Sequence, residues 1–275
     1  MNAAVAAARL GAPTAFLGRV STDAFGTEIW THLEASGVRL ELAERGPEPT
    51  ARAIVETHPV QRFTFEGEAT ADSSMVSFDS SRIGRGNHIL HGGTLGIFRG
   101  STAEVLACLV EEFEGVVSFD PNVRPAIIDQ VGADTWWFYA NRWLDRADLV
   151  RGSDEDFDWM GVSIGNLLDR GAKAVVKTLG ADGAEVHLAS GEVVVVSADV
   201  IDFVDAVGAG DSFCGALLVR LYTDGWPEAT KAWGDMLRFA CAVAGDTCSR
   251  PGADPPWWNQ MSTEPFTTKD SDGSR

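Results

Sequence analysis

The chain has 275 residues, which is enough for one large α/β domain or two small domains. Its formal net charge is −18, from 40 acidic and 22 basic residues, so nucleic acid and anionic membranes are disfavoured as partners. The four cysteines lack metal-ligand spacing, and no segment is long and apolar enough to span a bilayer. We therefore expect a cytoplasmic protein with reduced thiols.

Hydrophobic periodicity, punctuated by glycine and proline, predicts helices and strands that alternate along most of the chain. The predicted helices cover residues 1–10, 21–36, 101–112, 133–144, 212–222 and 231–244. The predicted strands cover residues 15–20, 51–57, 61–66, 88–91, 116–119, 147–150, 172–179, 184–188 and 193–196. This alternation is typical of an α/β fold. Residues 259–275 are polar, and we expect a disordered tail there.

Polar side chains follow several of the predicted strands. The strand at 116–119 runs into Asp120-Pro121-Asn122-Val123-Arg124-Pro125, which could bind sugar hydroxyls, a carboxylate or a phosphate. Arg124 is the natural anion partner, because its guanidinium offers a planar fork. The same run could instead be a loop capped by aspartate and proline.

Two further polar runs also have plain structural explanations. Acidic residues from Asp154 to Asp158 open a helix, where they suit its dipole. The run from Thr178 to Gly183 contains Ala-Asp-Gly, an ordinary hairpin turn.

The stretch from Val204 to Phe213 carries the strongest functional signal. Gly208, Ala209 and Gly210 open a helix, so unpaired amides and the helix dipole form a site suited to phosphate. Asp211 would repel a phosphate, and its best explanation is proton transfer from an alcohol that attacks phosphorus. The alternative is a glycine-rich turn whose aspartate caps the helix. A dinucleotide fingerprint fits worse, since its third glycine would fall at Phe213, and the lack of a following lysine excludes a P-loop.

This stretch, D-A-V-G-A-G-D, resembles the D-T-x-G-A-G-D signature of the ribokinase-like (PfkB) carbohydrate kinases, with Ala206 in place of threonine. The resemblance implies a three-layer α/β/α sandwich with a mostly parallel sheet and a small β lid. The kinase domain would cover residues 1–258, with lid strands at about 38–72 and part of 12–20. Gly208, Ala209 and Gly210 would form the anion hole, and Asp211 would be the catalytic base.

The substrate side of the resemblance rests on two motifs. Residues 2–11, 17–20 and 23–26 resemble the family's N-terminal signature, which makes Asn2 a substrate residue. In the family this signature starts earlier, after a strand with a sugar-binding aspartate, so we expect a late-called start or a truncated form. The D-P-N-x-R-P run resembles the fructokinase and 2-keto-3-deoxygluconate kinase branch, and implies that Asn122 and Arg124 contact the substrate.

The nucleotide and metal residues are implied by three further likenesses. The run T-L-G-A-D-G resembles the family's T-x-G-x-x-G nucleotide segment, and residues 240–244 resemble the wall beside adenine. The implied nucleotide-binding residues are Thr178, Gly180, Gly183, Asp205 and Cys241. The family's N-x-x-E motif, which acts on Mg²⁺ through water, is represented by Ser153 and Asp156, an oxygen-rich pair that suits this ion.

The resemblance therefore implies an ATP- and Mg²⁺-dependent kinase that phosphorylates a hydroxyl of a monosaccharide or sugar acid. A homodimer could form through the β lid. Glu66 and Gly67 replace the Tyr-Arg pair that many sugar-acid and fructose kinases carry after a lid strand. One alternative is a catalytically impaired pseudokinase or nucleotide-binding protein. Another, a nicotinamide-dependent oxidoreductase, is disfavoured by the glycine spacing.

Overall fold

A computed structural model describes residues 1–56, 62–67, 69–199 and 201–261. The predicted His58-Pro59 turn and residues 262–275 of the predicted tail lie outside this part of the chain. Residues 259 and 260 of the predicted tail belong to a short 3₁₀ turn. Within the described ranges, no helix combines the length and the apolar character needed to cross a membrane.

The helices and strands alternate along the chain, as predicted. The helices are α1 (Asn2–Arg9), α2 (Ala24–Ala35), α3 (Gly100–Glu112), α4 (Pro125–Val131), α5 (Ala133–Leu144), α6 (Asp154–Met160), α7 (Ile164–Asp169), α8 (Ala209–Asp224) and α9 (Thr230–Cys248). The strands are β1 (Gly18–Ser21), β2 (Ala43–Gly46), β3 (Arg52–Glu56), β4 (Arg62–Glu66), β5 (Ile89–Gly93), β6 (Val116–Asp120), β7 (Leu149–Ser153), β8 (Ala174–Thr178), β9 (Ala184–Leu188) and β10 (Val193–Val196).

Six strands form the central sheet, in the order β10-β9-β8-β7-β6-β5. Strands β5 to β8 are parallel, whereas β9 pairs antiparallel with both β8 and β10. The carboxyl ends of the four parallel strands therefore meet at one edge of the sheet, which is where open α/β sheets bind ligands.

Helices cover both faces of this sheet. On one face, α8 and α9 contribute fully buried residues such as Leu217 and Val243. On the other, α5 contributes Trp136 and Trp143, whose indole rings are buried as predicted for this tryptophan-rich helix. The two layers of helices on a mostly parallel sheet confirm the predicted α/β/α sandwich.

The N-terminal third adds two small sheets. Strands β1 and β2 pair in parallel, and β3 and β4 form an antiparallel hairpin with Arg52 opposite Glu66. The strand predicted at 15–20 begins only at Gly18, because Ala15 makes just an isolated bridge with Arg39. Strand β2 was not predicted, since its sequence, Ala-Glu-Arg-Gly, has no apolar alternation.

The difference from prediction that bears most on the site concerns the start of α8. This helix begins at Ala209 rather than at Ser212, so Gly210 and Asp211 lie in its first turn. Two short helices, α4 and α7, were not predicted: Pro125 occupies the first turn of α4, and the side chain of Ser163 caps α7. Helix α6 begins at Asp154, where the acidic run predicted a helix, and the side chain of Ser153 caps it.

Candidate active site

A cavity of about 1660 Å³ lies between the carboxyl edge of the sheet, the first turn of α8 and the N-terminal helix α1. Seven of the predicted site residues line it: Asn2, Asn122, Arg124, Asp205, Gly208, Gly210 and Asp211. Its volume exceeds that of an ordinary small-ligand pocket, which leaves room for more than one ligand.

The two glycines at the start of α8 lie close to neighbouring atoms, one just before the helix and one in its first turn. Gly208 has a φ of +80°, and a Cβ there would lie 2.6 Å from the Cβ of Ala253. A Cβ on Gly210 would lie 3.1 Å from Nη2 of Arg151. The amide of Ala209 donates to the carbonyl of Ala206 at 3.2 Å, whereas the amides of Gly210 and Asp211 lie too early in the helix for an intrahelical acceptor. The positive end of the dipole of α8 thus borders the cavity.

The Asp211 carboxylate, in the first turn of α8, is half-buried. Its Oδ2 accepts a hydrogen bond from Nδ2 of Asn2, at 2.8 Å. The two residues are 209 positions apart, and the close packing of α1 on α8 brings them together. Gly215 permits that packing, because a Cβ there would lie 2.6 Å from the Cβ of Ala6. Asn2, which the sequence analysis predicted as a substrate residue, therefore holds the carboxylate of Asp211 in one orientation.

The ends of β5 and β6 carry a strained polar pair. Thr94 and Asn122 have φ values of +57° and +37°, which residues other than glycine seldom adopt. Nδ2 of Asn122 donates to Oγ1 of Thr94 at 2.8 Å, and the Asn122 amide donates to Oδ1 of Asp120 at 3.0 Å. Strain of this kind is found at binding sites, where the surrounding structure maintains it. Arg124 follows, with its side chain exposed at the cavity.

Both carboxylate oxygens of Asp156 accept hydrogen bonds from the protein. Its Oδ1 accepts from the amide of Val123 at 2.7 Å, and its Oδ2 accepts from the amide and hydroxyl of Ser153, both at 2.8 Å. Asp156 thus caps α6 and anchors the loop that carries Asn122. Neither Ser153 nor Asp156 lines the cavity, whereas the neighbouring Glu155 does. That Ser153 and Asp156 act on Mg²⁺ through water stays a prediction, and the carboxylate of Asp156 already accepts three hydrogen bonds within the protein.

The predicted nucleotide residues are not all brought together. Thr178, at the end of β8, accepts a hydrogen bond from Nη2 of Arg151 at 3.1 Å. Gly180 lies on an exposed turn, and Gly183 packs so tightly that a Cβ would lie 2.1 Å from the carbonyl oxygen of Val196. Gly183 therefore has a structural reason to be glycine.

The other two nucleotide residues differ in exposure. Cys241 is partly buried, and burial raises the pKa of its thiol to about 11. Asp205 borders the cavity, where hydrogen bonds from the amides of Val207 and Gly252 lower the pKa of its carboxyl.

Sequence reasoning named Asp120 but missed the largely buried polar cluster that it forms on the wall of the cavity. Arg151 Nη1 donates to Oδ2 of Asp120 at 2.7 Å, and both side chains are more than nine-tenths buried. Burial raises the pKa of the Asp120 carboxyl, and the guanidinium opposes that shift. His91, on β5, contacts the hydroxyl of Ser118 and the thiol of Cys214, and burial lowers its pKa to about 4. The available signal for Arg151 was its position as a lone arginine inside an apolar strand.

Comparison with known proteins identifies the family. The profile described as pfkB family carbohydrate kinase matches residues 1–260. The chain belongs to this family. A fructokinase from Rhizobium leguminosarum bv. trifolii is 33% identical over 232 residues, which cover 81% of this chain and 70% of that relative.

Solved structures agree with this assignment. A fructokinase from Vibrio cholerae O395, described with fructose, ADP and calcium ion, is 28% identical, with a TM-score of 0.76 and coverage of 92% of this chain and 84% of its own. A putative ribokinase II from E. coli, described with ATP and Mg²⁺, is 25% identical, with a TM-score of 0.76 and coverage of 92% and 82%. The chain is an ATP-dependent sugar kinase. Nothing in these comparisons points to the pseudokinase or to the oxidoreductase.

Proposed function

We propose that the acceptor is fructose and that Asp211 activates the hydroxyl that receives the γ-phosphate of Mg²⁺-bound ATP. One observation carries the mechanism: the Asp211 carboxylate lies in the first turn of α8, beside Gly208 and Gly210, on the wall of the cavity. A base and an anion cradle within one helical turn are what phosphoryl transfer to an alcohol requires. The fructokinases among the relatives support fructose as the acceptor.

Phosphoryl transfer to the sugar makes one bond to phosphorus and breaks another. The hydroxyl oxygen of the sugar bonds to the γ-phosphorus, the bond from that phosphorus to the bridging oxygen breaks, and ADP leaves. The hydroxyl proton passes to the carboxylate of Asp211. Nδ2 of Asn2 donates to this carboxylate at 2.8 Å and fixes its orientation. Amides at the start of α8, near Gly210, stabilise the charge that builds on the phosphoryl oxygens.

The residues fit a magnesium ion that arrives with the nucleotide. Among the described residues, no group of three or more His, Cys, Asp or Glu side chains could hold a metal alone. Mg²⁺ usually keeps several waters and binds substrate phosphates together with one or two carboxylates. Glu155 lines the cavity and can contribute a carboxylate, while Asp156 acts through the loop it anchors. When bound, the ion neutralises charge on the phosphates.

A sugar acid is a second candidate acceptor, and Arg124 favours it. Its guanidinium is exposed at the cavity and donates to the carbonyl of Val123 at 2.8 Å, which leaves further N–H groups for a carboxylate. A coupled ADP-release assay over fructose, ribose, nucleosides and 2-keto-3-deoxygluconate distinguishes the two acceptors.

We expect the highest kcat/KM with fructose. Arg124→Ala should then reduce it by less than about tenfold, the scale of one lost hydrogen bond. If the enzyme clearly prefers the sugar acid and Arg124→Ala abolishes that preference, the acceptor is the sugar acid and not fructose. ADP release with none of these acceptors would contradict the proposed substrate class.

The hairpin β3–β4 stays the predicted surface for a homodimer. Ile54, on β3, is 41% exposed, an apolar side chain that a partner could cover. Light scattering of the purified protein, compared with Ile54→Lys, tests this. A dimer that Ile54→Lys dissociates supports the surface, and a wild-type monomer contradicts it.

A further inference from the structure

Arg151 connects the ends of three strands of the central sheet. It is the third residue of β7, and its side chain is only 8% exposed. Nη1 donates to Oδ2 of Asp120, at the end of β6, and Nη2 donates to Oγ1 of Thr178, at the end of β8. The guanidinium therefore fixes the spacing of the strand ends that border the cavity.

The same guanidinium contacts the first turn of α8. A Cβ on Gly210 would lie 3.1 Å from Nη2, so the helix backbone approaches the cation closely at this point. The guanidinium carbon also lies 5.6 Å from the centroid of the Phe213 ring, within the range of a cation–π contact. Arg151 thus joins the sheet edge to the turn that carries Asp211.

Stability alone is a poor reason for this arrangement. A buried ion pair often gives no more stability than well-packed apolar residues of similar volume. The Nε of Arg151 is buried and has no hydrogen-bond partner among the described residues, which is an added cost. Arg151 also lines the cavity. The unfavourable free energy of burying its charge and its unpaired Nε therefore arises at the site where phosphate chemistry takes place.

We propose that Arg151 is a positioning residue for phosphoryl transfer. It holds the first turn of α8 against the ends of β6, β7 and β8, so that the Gly210 amide and the Asp211 carboxylate keep their orientation toward the phosphoryl group. This inference rests on the sugar kinase function. It differs from a purely structural role, in which Arg151 would serve only to neutralise the buried charge of Asp120.

A double substitution separates the two roles. Arg151→Met removes the cation and leaves Asp120 buried and unpaired, so both the thermal midpoint and kcat should fall. Adding Asp120→Asn removes the unpaired charge, so the midpoint should recover. If Arg151 positions α8, kcat stays about 10–100-fold below wild type, the scale of a misplacement near 1 Å. The KM for fructose should change less than kcat, because asparagine at position 120 keeps an oxygen that can accept from the amide of Asn122.

A matched control is available on the other face of the sheet. Arg142 also forms hydrogen-bonded ion pairs, with Glu104 and Glu111, and its side chain is 18% exposed. Arg142→Met should lower the midpoint and leave kcat unchanged. If Arg151→Met does not fold, Arg151→Lys provides the test, since it keeps the charge and loses the fork. Its kcat should fall while its midpoint stays close to wild type.

Hydrogen exchange gives a readout that does not depend on turnover. Arg151→Met with Asp120→Asn should speed amide exchange in a peptide covering residues 205–213, and Arg142→Met should not. Recovery of both kcat and slow exchange in the double variant would overturn the proposal and leave Arg151 as a charge partner only. If the wild-type enzyme phosphorylates no sugar, the proposed function fails, and the exchange comparison still decides the role of Arg151.

Discussion

The contact between α1 and α8 makes a specific prediction for Gly215→Ala. Gly215 lies in α8, and a Cβ there would lie 2.6 Å from the Cβ of Ala6, 2.8 Å from the carbonyl oxygen of Ala3 and 3.0 Å from the amide nitrogen of Ala7. All three of these atoms belong to α1, and two of them are backbone atoms. The clash cannot be relieved by rotating a side chain, so α1 has to move away from α8.

The size of that movement can be worked from the distances. Carbon atoms pack at about 3.5–4.0 Å, so a contact of 2.6 Å requires a displacement of about 1 Å. Asn2 is at the start of α1, and its hydrogen bond to Asp211, now 2.8 Å, would lengthen to nearly 4 Å and be lost. A shift of this size costs up to about 100-fold in rate. Overpacking should also cost about 1–3 kcal/mol of stability.

Steady-state kinetics and thermal unfolding measure the two effects. We expect kcat to fall about 10–100-fold and the thermal midpoint to fall by about 2–4 °C per kcal/mol. Gly165→Ala is the matched control, because this helical glycine in α7 has only Oγ of Ser163 near its would-be Cβ, at 3.8 Å. The control should keep wild-type kcat. Full activity and an unchanged midpoint in Gly215→Ala would refute the packing argument.

Two further predictions concern the polar cluster on the wall of the cavity, which includes His91 and Cys214. Burial holds the pKa of His91 at about 4, below the ordinary value of 6.5, so the unfolded chain binds the extra proton. The free energy of unfolding should therefore fall as the pH drops from about 6.5 to 4, by on the order of 2–3 kcal/mol. In thermal melts, His91→Gln should reduce this dependence of stability on pH. An equally steep dependence in the variant would contradict the prediction. Burial also raises the pKa of the Cys214 thiol, whereas Cys108 is exposed. Native-state iodoacetamide labelling, read by peptide mapping, should modify Cys108 and spare Cys214, and equal labelling would argue against a closed cluster.

Elements with strong local signals could be predicted from the sequence. Helix α5 and strands β9 and β10 have the predicted bounds, because a tryptophan-rich amphipathic pattern and short runs between turn glycines determine them locally. Strand β2 could not be predicted, since it exists through pairing with β1, 25 positions earlier along the chain. Helix α8 begins earlier than its apolar run suggests, because Gly210 and Asp211 continue the helix from Ala209.

The site was predictable only in part. The phosphate-binding turn is a local motif, so Gly208, Gly210 and Asp211 could be named from sequence. The contact from Asn2 to Asp211 depends on the packing of two helices that are distant in the chain, and only the family resemblance pointed to it.

The buried side chains were harder to predict. The sequence shows that Asp156 lies at the start of α6, but only the fold shows that its carboxylate accepts hydrogen bonds from backbone amides. The role of Arg151 likewise depends on neighbours from three other elements.

Rapid-quench measurement of a single turnover in Asp211→Asn tests the central claim most directly. Loss of a general base should slow phosphoryl transfer to fructose by about 10²–10⁴-fold, while ATP affinity stays close to wild type. Asp224→Asn is the matched control: Asp224 is the last residue of the same helix, where it pairs with Arg220 and accepts from the hydroxyl of Thr223. It should transfer phosphate at the wild-type rate. A near-normal transfer rate in Asp211→Asn would contradict the assignment of Asp211 as the base.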